Sequence, residues 1–208
     1  MIGDEYFERF STPKYRAKNP VQRLLIRRFV DRLHSLFLEA NPAKSVLEVG
    51  VGEGFLSGYL SEKFPEKSFT GVDLNDDDIA RVRRLFPRIE AKTGSIYDLD
   101  FEPGRFDIVL CAEVLEHVEQ PDRALASLLG LRPKQLIVTV PHEPWFMLSN
   151  VLRGKNLSRF GNDPEHLNHW TLRSFERLIA SQASVRTRCT AYPWILIRAE
   201  PPPGTSRE

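Results

Sequence analysis

The chain has 208 residues, 41% hydrophobic and 27% charged, a balance that suits one globular domain with a sizeable core and excludes a disordered or membrane-buried chain. Its 29 basic residues stand against 28 acidic ones, a net charge of +1, which gives no general electrostatic case for nucleic acid. Two cysteines, Cys111 and Cys189, make neither a disulfide framework nor a metal motif. A cytoplasmic protein is expected, because the opening MIGDEYFERF is too charged for a signal peptide. No apolar run is long enough to span a bilayer, and no internal repeat is present.

Residues 1–18 are polar and aromatic (Tyr6, Phe7, Phe10, Tyr15) and read as an irregular arm or short helix. Asn19-Pro20 is a helix start, a capping side chain followed by proline at the first helical position. The helix runs to about Ala40 with Val21, Leu25, Phe29, Leu33 and Leu36 on one face, and Asn41-Pro42 stops it. Arg23, Arg27, Arg28 and Arg32 lie mostly on the other side, expected to be solvated.

Residues 46–54, VLEVGVGEG, are the stretch around which the chain is organised. A buried strand ends in an acid and breaks into glycines at 50, 52 and 54, and a helix from about Phe55 to Lys63 aims its free N–H groups at whatever binds there. Strand, glycine loop and helix open a nucleotide-binding α/β fold. The dinucleotide pattern G-x-G-x-x-G fails from Gly50, because position 55 is Phe. The pattern E-x-G-x-G-x-G fits throughout, with Glu48, Gly50, Gly52 and Gly54, and it resembles motif I of the class I S-adenosylmethionine (SAM) methyltransferases.

The next strand, residues 68–73, ends in Asp73, followed by Leu74 and Asn75. An acid about 20 residues after the glycine loop suits capture of ribose hydroxyls. Its alternative is to cap the helix at about 76–86, but the aspartates at 76–78 leave that role dispensable. A short strand near 89–93 leads into GSIYDLDF, which resembles the methyltransferase segment lying along adenine. Many relatives carry Asp after that glycine; here Ser95 stands there, a weaker acceptor, with Ile96 as an apolar contact.

Residues 106–111, FDIVLC, read as a central strand buried on both faces, followed by AEVLEHVEQPDRAL and a helix at about 122–130. Residues 136–140 form a fifth strand. The connection 141–170 is too long for an ordinary βα loop and is read as an acceptor cap. It holds a short helix (about 145–152), a basic turn (Arg153, Lys155, Arg159) and three of the five histidines, His142, His166 and His169. Thr171 caps an amphipathic helix, and strands at 184–189 and 194–200 make a closing hairpin around Tyr192-Pro193.

The resemblance spans residues 45–200 and implies an α/β, Rossmann-like, seven-stranded, mostly parallel sheet in the order 3-2-1-4-5-7-6 with helices on both faces. It divides the chain into an arm and covering helix (1–44), a SAM-binding domain (45–200) with its cap (141–170), and a disordered tail (201–208). The glycines 50, 52 and 54 would hold the methionine end of SAM, and Glu48 would orient the loop or meet the ammonium. Asp73 would hold the ribose, and Leu74, Ser95, Ile96 and Cys111 would complete the cofactor contacts. The cysteine thiol itself reads as a small apolar residue closing a buried strand.

The implied activity is methyl transfer to a small-molecule, glycan or lipid-precursor acceptor, most simply a hydroxyl. Glu113, Glu116 and His117 are expected to lie together on a helical turn at the acceptor side. The segment is similar to the E-x-x-E-H of the small-RNA 2′-O-methyltransferases and the ubiquinone-biosynthesis O-methyltransferases, where carboxylates and histidines hold a divalent ion. The resemblance thus offers Glu113, Glu116, His117 and His166 as Mg²⁺ ligands. Without a metal, His117 or His166 is the general base, with Glu113 beside it, or the residues pack locally. The alternatives are an RNA 2′-O-methyltransferase, a nicotinamide-dependent oxidoreductase, and a non-catalytic SAM-binding protein. No specific nucleic-acid partner is expected, and the sequence is silent on oligomeric state.

Overall fold

The computed structural model describes residues 2–16, 18–152, 160 and 163–202. Two short helices, α1 (Asp4–Phe7) and α2 (Pro13–Arg16), precede the long α3 (Pro20–Glu39). The Asn19 side chain caps α3 by accepting from the N–H groups of Val21 (2.9 Å) and Gln22 (3.2 Å). Then come β1 (Ser45–Val49), α4 (Phe55–Lys63), β2 (Ser68–Asp73), α5 (Asp76–Leu85), β3 (Ile89–Thr93) and β4 (Ile108–Ala112). The chain continues with α6 (Pro121–Gly130), β5 (Gln135–Pro141), α7 (Trp145–Leu152), α8 (Leu172–Ala180), β6 (Ser184–Ala191) and β7 (Trp194–Glu200).

The seven strands form one sheet in the order β3-β2-β1-β4-β5-β7-β6, as expected. Strands β1 to β5 pair in parallel, β7 runs antiparallel to β5, and β6 closes the edge antiparallel to β7. The alternation of β4 shows why helices must cover both faces. Ile108, Leu110 and Ala112 join one apolar cluster with α3, α4 and α5, while Val109 and Cys111 join a second with α6 and α8. Because β1 leads to β2 on one side and lies against β4 on the other, the loops after β1 and β4 diverge at their carboxyl ends. That divergence is the crevice where open α/β sheets take ligands.

Several sequence expectations change in detail. The arm is not separate from the core, since Phe7 and Phe10 are fully buried with α3 in the first cluster. Arg23 and Arg27 are not simply solvated: both pair with Asp4, Arg27 at 2.7 Å, and so tie α1 to α3. Strand β4 starts two residues later than expected, because Asp107 serves as an anchor and not as a strand residue. Its carboxylate accepts from the N–H groups of Lys44 (2.7 Å) and Ser45 (3.2 Å) and pairs with Lys134 at 2.9 Å. The basic turn at Arg153, Lys155 and Arg159 and most of the expected tail lie outside the described residues. Among the described residues no helix is long and apolar enough to cross a membrane.

Candidate active site

The glycine loop bends because all three of its glycines adopt positive φ: 79° at Gly50, 49° at Gly52 and 85° at Gly54. Gly50 also needs its missing side chain, since a Cβ there would stand 2.1 Å from Cγ2 of Val114, in the loop after β4. A Cβ on Gly52 would meet nothing within 4 Å, so that position opens onto free space. Gly54 cannot cap α4 with a side chain; Glu48, at 2% exposure, does it from β1 by accepting from the Ser57 N–H at 2.9 Å. Burial pushes the Glu48 carboxyl up to about 8 despite that bond.

Asp73 closes β2 facing this loop. One carboxylate oxygen accepts from the Gly52 N–H at 2.8 Å and the other from the Asn75 N–H at 3.0 Å. It is not the cap of α5: Asn75 is, accepting from Asp77 and Asp78. Beside it Leu74 is 73% exposed, an apolar side chain left uncovered at the rim. Ile96 is buried, and the Ser95 hydroxyl accepts from the Tyr97 N–H at 3.2 Å. Cys111 corrects an expectation, because its side chain is sealed in the second apolar cluster with no exposure and offers the rim only its backbone. Burial pushes its thiol pKa up, as fits an inert core residue.

The acceptor side differs from the expected helical turn. Residues 113–118 form an irregular turn, and Glu113 holds a φ of 59°, a left-handed backbone costly for a side chain of this size. The bend sends the Glu113 carboxylate away from the histidines. It accepts from the Trp194 indole N–H at 2.6 Å and lies 3.4 Å from the Lys14 ammonium. The ligand atoms that converge are those of Glu116, His117 and His166, all within 4.8 Å of one another. Glu113 is therefore corrected from a member of that cluster to its neighbour.

Four hydrogen bonds bring His166 across to the turn. The N–H groups of Leu167 (2.8 Å) and Asn168 (3.0 Å) donate to the Glu116 carbonyl, and the Asn168 amide donates to the carbonyls of Leu115 (3.1 Å) and Val118 (2.7 Å). The rings of His117 and His166 then meet edge to face at 5.0 Å. His117 Nδ1 lies 2.9 Å from the Glu165 carbonyl. A carbonyl only accepts, so Nδ1 carries the proton and Nε2 presents its lone pair. That lone pair faces Glu116 Oε1 at 3.9 Å.

Glu116 is 1% exposed, and neither carboxylate oxygen has a hydrogen-bond partner among the described residues. Burial first, and the Glu113 charge second, hold its carboxyl well above the usual carboxylate range. Burial and the neighbouring His117 push His166 down to about 4, so its imidazole is neutral at ordinary pH. The other two candidate histidines stay apart: His142 donates its backbone N–H to the Pro193 carbonyl, and His169 faces Glu143 at 3.9 Å.

These groups line a cavity of about 870 Å³ walled by the arm, α3, α7 and the β6–β7 turn. Its roof is held by contacts with no signature in the sequence, because the partners lie 28 to 99 positions apart. Glu53, inside the glycine loop, accepts from the N–H groups of Ser11 (2.7 Å) and Thr12 (2.9 Å) and pairs with Arg81 at 3.1 Å. Tyr15 stacks on Phe55 with centroids 3.8 Å apart. The arm thus crosses from the glycine loop to Glu113 and covers the crevice.

Comparison with known proteins agrees with this arrangement. A family profile described as a methyltransferase domain matches residues 46–131, from β1 through α6. The mitochondrial ubiquinone biosynthesis O-methyltransferase of Saccharomyces cerevisiae is 37% identical over 128 residues, 58% of this chain and 41% of that protein. The ubiquinone biosynthesis O-methyltransferase of Xanthomonas euvesicatoria is 36% identical over 123 residues, 55% of this chain and 50% of that one. The chain thus spans half or less of these curated relatives. Among solved structures, the magnesium protoporphyrin IX methyltransferase of Synechocystis PCC 6803 with bound SAH (S-adenosylhomocysteine) superposes with a TM-score of 0.71 at 18% identity, over 95% of this chain and 93% of that one, a likeness of fold. Sheet order, glycine loop and these relatives agree: residues 46–131 match a methyltransferase domain, and the chain is similar to SAM-dependent methyltransferases.

Proposed function

We propose that the chain transfers the methyl group of SAM to a hydroxyl of a small-molecule, glycan or lipid-precursor acceptor. Bound SAM supplies an electrophilic methyl group on a sulfonium. The residues at the rim fit such a nucleoside: Gly52 faces open space, Asp73 offers a carboxylate to ribose hydroxyls, and the exposed Leu74 offers an apolar edge to a base. Ser95 and Ile96 flank the same end. Glu48 aims the N-terminus of α4 at the loop.

The observation that carries the reading is the His117 Nε2 lone pair facing the buried carboxyl of Glu116, whose oxygens have no hydrogen-bond partner among the described residues. Two such groups are left unsatisfied unless a proton or a cation lies between them. An acceptor hydroxyl placed there donates to one of them and gives up its proton as its oxygen attacks. The cavity walls fix the approach, and positioning of that kind is worth about 7–11 kcal/mol. The same Glu116, His117 and His166 would hold a divalent ion, which would supply charge to favour the deprotonated hydroxyl. A donor set of two imidazoles and one carboxylate suits a transition metal better than Mg²⁺. Among the described residues four carboxylates line the cavity (Glu113, Glu116, Asp163, Glu165), which weighs against an RNA backbone as acceptor. Two free cysteines accord with a reducing cytosol as the setting.

Calorimetry on the purified protein tests the cofactor half of the reading. Micromolar binding of SAM, competed by S-adenosylhomocysteine, is expected; no binding of either sinks it. Metal is tested apart from turnover, by binding of Mn²⁺ followed by electron paramagnetic resonance in the wild type and in His166→Ala. Equal spectra for the two proteins remove the ion from the site.

A further inference from the structure

We infer that Asn168 is a positioning residue of the acceptor site: its side-chain amide, carried by the cap, holds the 115–118 turn in the shape that sets Glu116 and His117 against His166. The role in the reaction rests on the methyl-transfer reading of that cluster.

The turn has little of its own to hold it. It opens at Glu113, whose φ of 59° is unfavourable for a side chain of that size. It closes on itself where the Val114 carbonyl accepts from the His117 N–H at 2.9 Å. Leu115 and Val118 sink their side chains into the second apolar cluster, which fixes where the turn sits but not how its peptide planes lie. A carbonyl of such a turn that finds no donor is costly, so the planes settle where donors wait.

Those donors come from the cap. The N–H groups of Leu167 and Asn168 both reach the Glu116 carbonyl, at 2.8 and 3.0 Å. The Asn168 side chain reaches the carbonyls of Leu115 and Val118, at 3.1 and 2.7 Å. Carbonyls only accept, so the amide nitrogen faces them and spends one N–H on each. A carboxylate of the same shape has no proton to give, and a hydroxyl has one proton for two carbonyls. One planar amide therefore spans the turn from its second apolar anchor to its first.

The same residue sets the other half of the cluster. His166 lies two positions before Asn168, and its N–H bonds the Asp163 carbonyl at 3.1 Å. That short lead carries its ring to 5.0 Å from the His117 ring and 5.1 Å from the Phe146 ring. Between them in the chain, the Glu165 carbonyl takes the His117 Nδ1 proton at 2.9 Å. Glu116, His117, Glu165 and His166 face the cavity, and Asn168 acts through them without touching an acceptor. The backbone N–H groups dock the cap on the turn, and the amide fixes the angle at which it docks.

Nuclear Overhauser spectra of the full chain, labelled with carbon-13 in its histidine rings, test this with and without S-adenosylhomocysteine. A cross peak between the His117 and His166 rings, assigned with His117→Ala and His166→Ala, is expected in the wild type. Asn168→Asp and Asn168→Ala should both lose it, while S-adenosylhomocysteine binds each within about twofold of the wild type by calorimetry. The first variant keeps the shape and removes the donors, and the second removes the donors without adding a charge. His169→Ala, an exposed change in the same segment, should keep the cross peak. No cross peak in the wild type, its survival in either Asn168 variant, or its loss in His169→Ala would overturn the inference. Unfolding of both Asn168 variants would overturn it too, by making the residue a structural one. Failure of S-adenosylhomocysteine to bind the wild type would count against the methyl-transfer reading, while the cross peak recorded without it would still decide what Asn168 holds in place.

Discussion

The two halves of the crevice treat their carboxylates in opposite ways. On the glycine-loop side every carboxylate is occupied: Glu48 caps α4, Asp73 bonds the Gly52 and Asn75 N–H groups, and Glu53 holds the arm. On the β4 side Glu116 is buried with both oxygens unpartnered among the described residues, and its neighbour Glu113 sits in a left-handed backbone. The first side is a scaffold already folded around its own polar groups. The second stores an unfavourable arrangement that only a proton, a cation or a substrate relieves, and such arrangements are retained where chemistry is done.

The sharpest way to break this contrast is Glu116→Leu. Removing a buried carboxyl with no partner should leave the melting temperature unchanged or raise it, while methyl transfer falls by roughly 100-fold or more. A large loss of stability would show Glu116 to be a structural group like those across the crevice. Next in size is Asp73→Ala. Losing charge-assisted bonds to a ribose should weaken SAM binding by about 2 kcal/mol, some 30-fold. Equal calorimetric heats for the variant and the parent would remove the ribose assignment.

Asp107 supplies a carboxylate of purely structural kind for comparison. Burial pushes its pKa up, but the Lys134 ammonium and the Lys44 and Ser45 N–H groups outweigh that and hold it at about 2, below the reference value of 3.8. Because the folded value is the lower one, the stabilisation is complete above pH 3.8 and disappears as pH falls towards 2. It amounts to about 2 kcal/mol and should be missing in Asp107→Asn, as acid titration of the two proteins by circular dichroism would show. An unchanged acid midpoint contradicts it. The smallest effect is expected from Gly52→Ala. With no clash the change costs only the strain of the positive φ, about 1 kcal/mol in denaturant melts, yet SAM affinity should drop if a ligand approaches that Cα. Gly50→Ala, which drives a methyl into Val114, should lose more stability than Gly52→Ala.

Much of the scaffold was legible in the sequence because its determinants are local. Asn19-Pro20 starts α3, the 50/52/54 glycines break the chain after β1, and unbroken apolar runs mark the strands buried on both faces. The acceptor side was legible only as a set of residue types. Spacing alone put Glu113 with Glu116 and His117, as it would on a helix. The turn is not a helix, and Trp194 and Lys14, 81 and 99 positions away, draw Glu113 aside. His166 was expected near the site, but the bonds from Leu167 and Asn168 to Glu116 are what deliver it.

Order of strands, glycine loop and acidic strand end are written in short stretches, since hydrophobic period and backbone freedom act over a few residues. Which carboxylate is satisfied and which is left exposed to a lone pair depends on partners brought together from the arm, the cap and the closing hairpin. Burial and hydrogen bonding of that kind are sums over the whole packed molecule, so only the tertiary structure separates Glu116 from Glu113.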